Sequence, residues 1–377
     1  MTRFRHGLLI GKFYPPHRGH HTAIREAADR CDRVSVVVMS SARETVPLAD
    51  RVAWLRAEHP DDPRVHVTGI ACDAPLDVGD PRVWDAQVAA MRAALAAYDS
   101  RAPTVDAVVS NDDYGRELAR RFDATWIRVE RPAGQPSGTA ARADLAARWD
   151  DLAPATRAGL ATRVVVLGAE STGTTTVARA LAATFRARGG VWARTACVDE
   201  YGREHTERTW AAEVAAHPEA PPALDEIVWN RDDFDVVGAE QTRRENEAAC
   251  NGSPLLVCDT DAFATASWER RYLDGAARPD PAYAHDLPGH RLYLLTTHEG
   301  VPWHDDGLRE GDLAIRAAMT GWFTAGLTRA GHSWVLLTGT ERERVDLAVR
   351  TTDQLLALRL RFGEPLHGPG FPPAGAA

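Results

Sequence analysis

The sequence predicts an α/β protein of two domains, each a parallel sheet flanked by helices. Three observations lead there. The chain has 377 residues, more than one ordinary core accommodates. Short apolar strands alternate with amphipathic helical stretches, the order that builds parallel sheets. That alternation stops around residues 151–162 and then restarts.

In the first domain, residues 1–150, strands are expected at 7–13, 34–41, 65–71, 107–111 and 125–130, with helices at 20–31, 49–58, 83–98 and 114–122. The stretch DLAPATRAGLAT is short, polar and carries Pro154, so 151–162 reads as a linker. The second domain, 163–361, should have strands at 163–167, 195–198, 255–258, 291–295 and 334–337. Its helices are expected at 173–188, across 225–250, and in a closing segment that ends near 360. The tail 362–377 is rich in Gly, Pro and Ala and is expected to be disordered.

Composition narrows the function. The net charge of −9 argues against non-specific nucleic-acid binding, while a local basic site for small phosphates stays open. No run of 18 apolar residues suggests a membrane span, and the N-terminus lacks the pattern of a signal peptide. The cysteines Cys31, Cys72, Cys197, Cys250 and Cys258 form no C-x-x-C pair, which fits buried thiols in a reducing cytoplasm. Lys12 is the only lysine; nearly all basic charge is arginine.

The string GKFYPPHRGHHTAI, residues 11–24, ends the first strand and opens a helix. Gly11 permits close backbone approach, and Pro15 and Pro16 impose an extended bend. His17 and His20, with Gly19 between them, can aim both imidazoles and the free helix N–H groups at one phosphate. A surface turn would explain a lone histidine pair; the full string favours a phosphate site. Downstream lie SGTAAR at 137–142, SNDDYG at 110–115 and VPLADRVAWL at 46–55.

Together these resemble the nucleotidyltransferase superfamily with the (H/T)-x-G-H and S-x-T-x-x-R signatures, in its nicotinamide mononucleotide (NMN) adenylyltransferase branch. The resemblance implies a Rossmann-like domain in which the NMN phosphate attacks the α-phosphorus of ATP, helped by Mg²⁺. It implies that His17 and His20 meet the triphosphate, with Lys12, Arg18 and Arg142 as phosphate clamps. Gly11, Phe13, Gly19, Ser137, Gly138 and Thr139 would line the ATP site. Trp84 is a candidate to stack on nicotinamide or to fill the core.

The second opening string is GAESTGTTT, residues 168–176, after the run VVVL. Strand, glycine frame and helix come in the order of a phosphate-binding loop. Gly168, Glu170, Ser171, Thr172, Gly173, Thr174, Thr175 and Thr176 are its candidate phosphate residues, and Thr175 holds the position that ligates Mg²⁺. Thr174, however, stands where such loops carry lysine. The backbone amides can still form an anion nest. The missing charge-assisted contact is worth about 1.5–3 kcal/mol, enough to slow a kinase tens to hundreds of times.

Three strings follow in order: VDEYGREH (198–205), LLVCDTDAFATASW (255–268) and VPWHDDGLRE (301–310). Behind such a loop they resemble the ribosylnicotinamide kinase domain of the bifunctional NadR proteins, a P-loop kinase-like α/β fold. The resemblance then spans roughly residues 5–360. It implies Asp199 or Glu200 as the group receiving or orienting the riboside 5′-hydroxyl, and Asp259 on Mg²⁺ directly or through water. Trp268, Tyr201 or Trp303 would stack on nicotinamide, Asp306 would contact substrate, and Arg309 and Arg203 would close on the phosphates. The implied ligands are ATP, NMN, nicotinamide riboside and NAD. A DNA-binding repressor module is not expected, and the resemblance leaves room for a homo-oligomer. Two other readings stay open: a monofunctional adenylyltransferase whose second domain senses nucleotide, and a nucleotidyltransferase acting on another phosphate monoester.

Overall fold

Continuous apolar runs mark strands buried on both faces. β1 (Phe4–Gly11) and β2 (Cys31–Ser40) are such strands. Leu8 and Val37 face one core with Trp84, Met91, Leu118 and Phe122. Their neighbours Leu9, Val36 and Val38 face the other, with Ile24, Ala27 and Leu55. Side chains alternate across a strand, so two helical layers are served by one sheet. The computed structural model describes residues 3–75, 77, 79–99, 104–130, 134, 136–273, 291–301 and 312–366. The chain divides into two compact units, Met1–Gly159 with Leu360–Ala377, and Leu160–Arg359.

The first unit continues through α1 (Arg18–Arg30), α2 (Leu48–Ala57), β3 (Val65–Ala71), α3 (Pro81–Tyr98), β4 (Ala107–Ser110), α4 (Tyr114–Phe122), β5 (Thr125–Arg128), α5 (Gly138–Ala143) and α6 (Pro154–Leu160). Its strands are all parallel in the order β3-β2-β1-β4-β5. Winding reverses between β1 and β4, which opens a crevice at their carboxyl ends, the usual ligand position in such sheets. The stretch read as linker is helical at α6. Ala155 N donates to Glu58 Oε1 at 2.7 Å, and Gly159 leaves room for the Trp54 indole.

The second unit comprises β6 (Thr162–Gly168), α7 (Thr174–Arg186), β7 (Ala196–Val198), α8 (Tyr201–Ala216), α9 (Arg231–Asn251), β8 (Leu255–Asp259), α10 (Ala262–Tyr272), β9 (Arg291–Thr296), α11 (Leu313–Arg329), β10 (Ser333–Leu337) and α12 (Glu341–Arg359). Its parallel order is β10-β9-β6-β8-β7, with β6 at the centre. The helix expected across 225–250 starts later, at Arg231. Asn230 caps it, accepting from Asp232 N at 2.8 Å, while Asp233 reaches back to Asn230 N at 2.8 Å. Among the described residues no helix is long and apolar enough to cross a membrane.

Four buried charges lock this unit. Arg291 on β9 donates to Glu245 on α9 at 2.7 Å and to Asp261 at 2.9 Å. Arg163 on β6 approaches Glu245 at 3.3 Å, and Tyr293 OH donates to Asp261 at 2.9 Å. Asp261 also caps α10 through Ala264 N. Burial pushes the Glu245 carboxyl above the usual carboxylate range, against the pull of Arg291.

The tail corrects the expectation of disorder from residue 362. Phe362 meets the Tyr14 ring edge-on at 5.2 Å. Gly363 accepts from Tyr14 OH at 3.1 Å and donates to Thr45 Oγ1 at 3.2 Å, while Leu366 O accepts from Lys12 Nζ at 3.1 Å. A side chain at 363 would strike Arg43 O, which is why glycine stands there. Residues 367–377 lie outside the described residues. Ending the chain at Arg361 should cost the first unit about 1–2 kcal/mol, the worth of a few partly exposed hydrogen bonds. Urea unfolding of the two chains reads that difference.

Candidate active sites

The first site lies at the β1–β4 crevice, a cavity of about 530 Å³. At its floor His17 caps α1 by a reciprocal pair of bonds. His17 Nδ1 accepts from His20 N at 3.3 Å, and His20 Nδ1 accepts from His17 N at 3.1 Å. The rings stack at 3.6 Å with 19° between planes. Because both Nδ1 atoms accept, the neutral tautomer carries its proton on Nε2 in each ring. Gly19 allows the stack: a Cβ there would come within 3.1 Å of His17 Nδ1. Phe13, at φ 45°, turns the chain out of β1 and packs on His20 at 4.8 Å.

Cations ring this helix end. Lys12 Nζ sits 3.4 Å from Glu44; burial pulls its pKa down and Glu44 opposes the shift. Arg142 on α5 donates to Tyr14 O at 2.7 Å and to Thr139 Oγ1 at 3.2 Å, and burial lowers its pKa too. Ser137 caps α5 by accepting from Ala140 N at 3.3 Å, and a Cβ on Gly138 would crowd Arg142. Lys12, His17, His20, Ser137, Thr139 and Arg142 all line the one cavity, as do Gly11, Phe13, Gly19 and Gly138. Arg18 does not: it heads α1 on the exposed side, because the turn that points His17 and His20 inward points residue 18 out. Trp84 belongs to the α3 core at 6% exposure and also lines the cavity.

The second site opens where β6 runs into α7. Gly173 adopts φ 86° and Ser171 φ 55°, the alternation that turns successive amides toward one point. Gly168 leaves room for the hydroxyls of Thr296 and Thr172. Thr175 Oγ1 donates to Asp259 Oδ2 at 2.5 Å. Burial pushes the Asp259 carboxyl up, while Thr175 and Thr174 pull it back. Hydroxyl and carboxylate oxygens at the loop's end are the donor set that fits Mg²⁺. Thr172 is turned inward, its hydroxyl bonded to Ala169 O at 2.7 Å and to Thr296 at 2.7 Å, and Thr176 is exposed.

Beside the loop is a cavity of about 400 Å³. Glu170, Glu200, Tyr201 and Trp268 line it, with Arg203 and Asp261. The Tyr272 ring lies near-parallel to two indoles, Trp229 at 6.2 Å and Trp268 at 6.3 Å, and its hydroxyl donates to Glu170 at 3.1 Å. Asp199 does not line this cavity; its carboxylate pairs with Arg179 at 3.1 Å in an exposed bridge. Trp303, Asp306 and Arg309 lie outside the described residues.

Residues 8–129 match the Cytidylyltransferase-like family, and residues 163–344 match the AAA domain. The Trifunctional NAD biosynthesis/regulator protein NadR of Salmonella typhimurium (strain LT2) is 23% identical over 320 residues, covering 80% of this chain and 71% of that protein. The chain is NadR-like. Two solved structures of NadR protein, one in complex with NR and one with NAD and AMP-PNP, share its fold. Their TM-scores are 0.59 and 0.58 at 20% and 19% identity, each covering 95% of this chain and 97% of the other.

In this NadR-like chain several cavity residues carried no sequence signal. Trp229 and Tyr272 sit outside the quoted strings, and only the folded α9–α10 region brings them beside Trp268. Glu44 and Arg51, the latter inside the string 46–55, were assigned no role from the sequence and do not line the first cavity. Both are buried, joined at 2.6 Å, and Arg51 also donates to Lys12 O at 2.9 Å, with its guanidinium 4.6 Å from the Tyr14 ring centre.

Proposed function

We propose that the first unit of this NadR-like nucleotidyltransferase joins NMN to the adenylyl group of ATP. The observation that carries this is the stacked pair His17–His20 at the α1 N-terminus, in one cavity with Lys12 and Arg142. An NMN phosphate oxygen forms a bond to the α-phosphorus of ATP while the bond from that phosphorus to the bridging oxygen breaks, releasing pyrophosphate. Nε2–H groups and the helix amides stabilise the charge that builds on the phosphoryl oxygens. Arg142 and Lys12 hold the departing phosphates, and the crevice fixes both reactants in line. NAD is the product.

The second unit, on this reading, phosphorylates nicotinamide riboside to NMN. The riboside 5′-oxygen attacks the γ-phosphorus of ATP, and ADP leaves. Glu200, beside the aromatic cavity, takes the hydroxyl proton; Asp199, tied to Arg179 in solvent, is the weaker candidate. The Trp229–Tyr272–Trp268 group offers flat faces for the pyridinium ring. Thr175 and Asp259 would hold a Mg²⁺, which would supply charge that neutralises the nucleotide phosphates.

Thr174 favours a second reading of this unit, a nucleotide sensor without efficient transfer. Purified protein with ATP and Mg²⁺ is given NMN in one reaction and nicotinamide riboside in another, and products are separated by chromatography. NAD from both supports two activities. NAD from NMN alone supports the sensor. No NAD from NMN, with product from another phosphate monoester, overturns the acceptor assignment. Thr174→Lys is expected to raise riboside phosphorylation about ten- to a hundredfold, the scale of one restored charge-assisted contact. Initial rates of ADP release with riboside check it.

A further inference from the structure

The phosphate-binding loop of the second unit has no lysine, yet each carbonyl from Ala169 to Gly173 has a donor. Thr172 Oγ1 donates to Ala169 O at 2.7 Å. Arg316, on α11, donates from Nε to Glu170 O at 3.0 Å and from Nη2 to Ser171 O at 3.1 Å. Arg344, on α12, donates from Nη1 to Thr172 O at 3.1 Å. Gly173 O takes the first bond of α7, from Val177 N at 3.0 Å. Both arginines are nearly fully buried, at 1% and 2% exposure. Two guanidiniums from distant helices therefore converge behind three consecutive peptide units.

The consequence follows from the planar trans peptide, whose C=O and N–H point in opposite directions. Holding the carbonyls of 170, 171 and 172 on one side turns the N–H groups of 171, 172 and 173 to the other. Those are the amides an anion nest needs. Left alone, a loop with Ser171 and Gly173 at positive φ has other conformations open to it. Burial lowers the Arg316 pKa, and the charge of Glu170, the one charged side chain within the loop, opposes that shift.

We propose that Arg316 and Arg344 are positioning residues for phosphate in the second unit: they hold the lysine-free loop with its amides turned toward the nucleotide. Neither touches the phosphate; each acts through the backbone it holds. The inference rests on reading this unit as a nucleotide-binding domain.

The test keeps the chain whole. Photolabelling with 8-azido-ATP, and separately with 8-azidoadenosine, is followed by mass spectrometry that assigns labelled peptides to 160–359 or to the rest of the chain. Arg316→Met should raise the half-saturating ATP concentration for label in 160–359 roughly ten- to a hundredfold, the scale of one or two charge-assisted bonds. Labelling by the adenosine analogue should persist, because it needs no phosphate nest. Arg316→Lys and Arg344→Lys keep the charge but not the paired donors, and should give intermediate losses. They decide the matter if Arg316→Met does not fold. Unchanged ATP labelling in the substituted chains overturns the inference, and so does a parallel fall in adenosine labelling, which marks a merely structural role. If the unsubstituted chain takes no label in 160–359 from ATP, the nucleotide-binding reading itself fails and the inference falls with it.

Discussion

Replacing His20 by alanine should lower NAD formation from NMN by about 10²–10³-fold, the usual effect of losing one preorganised donor to a developing charge. Two losses coincide in this variant. One Nε2–H disappears from the cavity, and His17 N loses its acceptor, His20 Nδ1. The second loss weakens the start of α1 by about 1 kcal/mol. His20→Gln separates them, because glutamine at this third helical position can still accept from His17 N but offers no imidazole. Its melting point should stay near that of the parent while the rate falls. Phosphorylation of the riboside, which the proposal assigns to the other unit, should survive His20→Ala. Parallel loss of both activities in a folded variant would be incompatible with two separate sites.

The largest stability effect is expected from Arg291→Met. Arg291 holds two buried carboxylates, and its loss leaves Asp261 without its cation and Glu245 with only Arg163 at 3.3 Å. Breaking a buried pair in this way costs about 3–5 kcal/mol. The loss should depend on pH in a definite direction. Burial already raises the Glu245 pKa in the folded chain, and Arg291 restrains that rise. Without Arg291 the folded chain binds a proton that the unfolded chain releases above about pH 4.3. Stability therefore falls as pH rises through that window, and acid partly rescues the variant. Urea denaturation at pH 5 and pH 8 measures it; equal losses at both values would show that Glu245 is not the group stranded.

These examples mark what sequence could and could not reveal. β1, β2 and β6 were legible because strands buried on both faces are written as unbroken apolar runs. The His17–His20 and Gly168–Thr175 strings were legible because each is local: a strand end, a tight turn and a helix start within a few residues. The helices α8, α10 and α11 were not foreseen. Only Tyr201 of α8 is buried, so that helix carries no apolar stripe. The roles of Arg51, Arg291, Arg316 and Arg344 were hidden for a different reason. An arginine that meets its acceptors 146 residues away, as Arg316 meets Glu170 O, looks in sequence like any surface charge. The tail was misread because Gly363 packs through its backbone, which composition does not record.

The return of residues 360–366 to the first unit makes that unit discontinuous in sequence. A fragment cut at Gly159 would lack the carbonyl that meets Lys12 and the ring that meets Tyr14. The segment is a ligand on a leash, and the leash is the entire second unit. Folded, that unit fixes the separation of its own two ends; unfolded, it lets them wander. The effective concentration of Leu366 at Lys12 thus depends on whether the other unit is folded. Chain connectivity alone gives each unit a thermodynamic stake in the other.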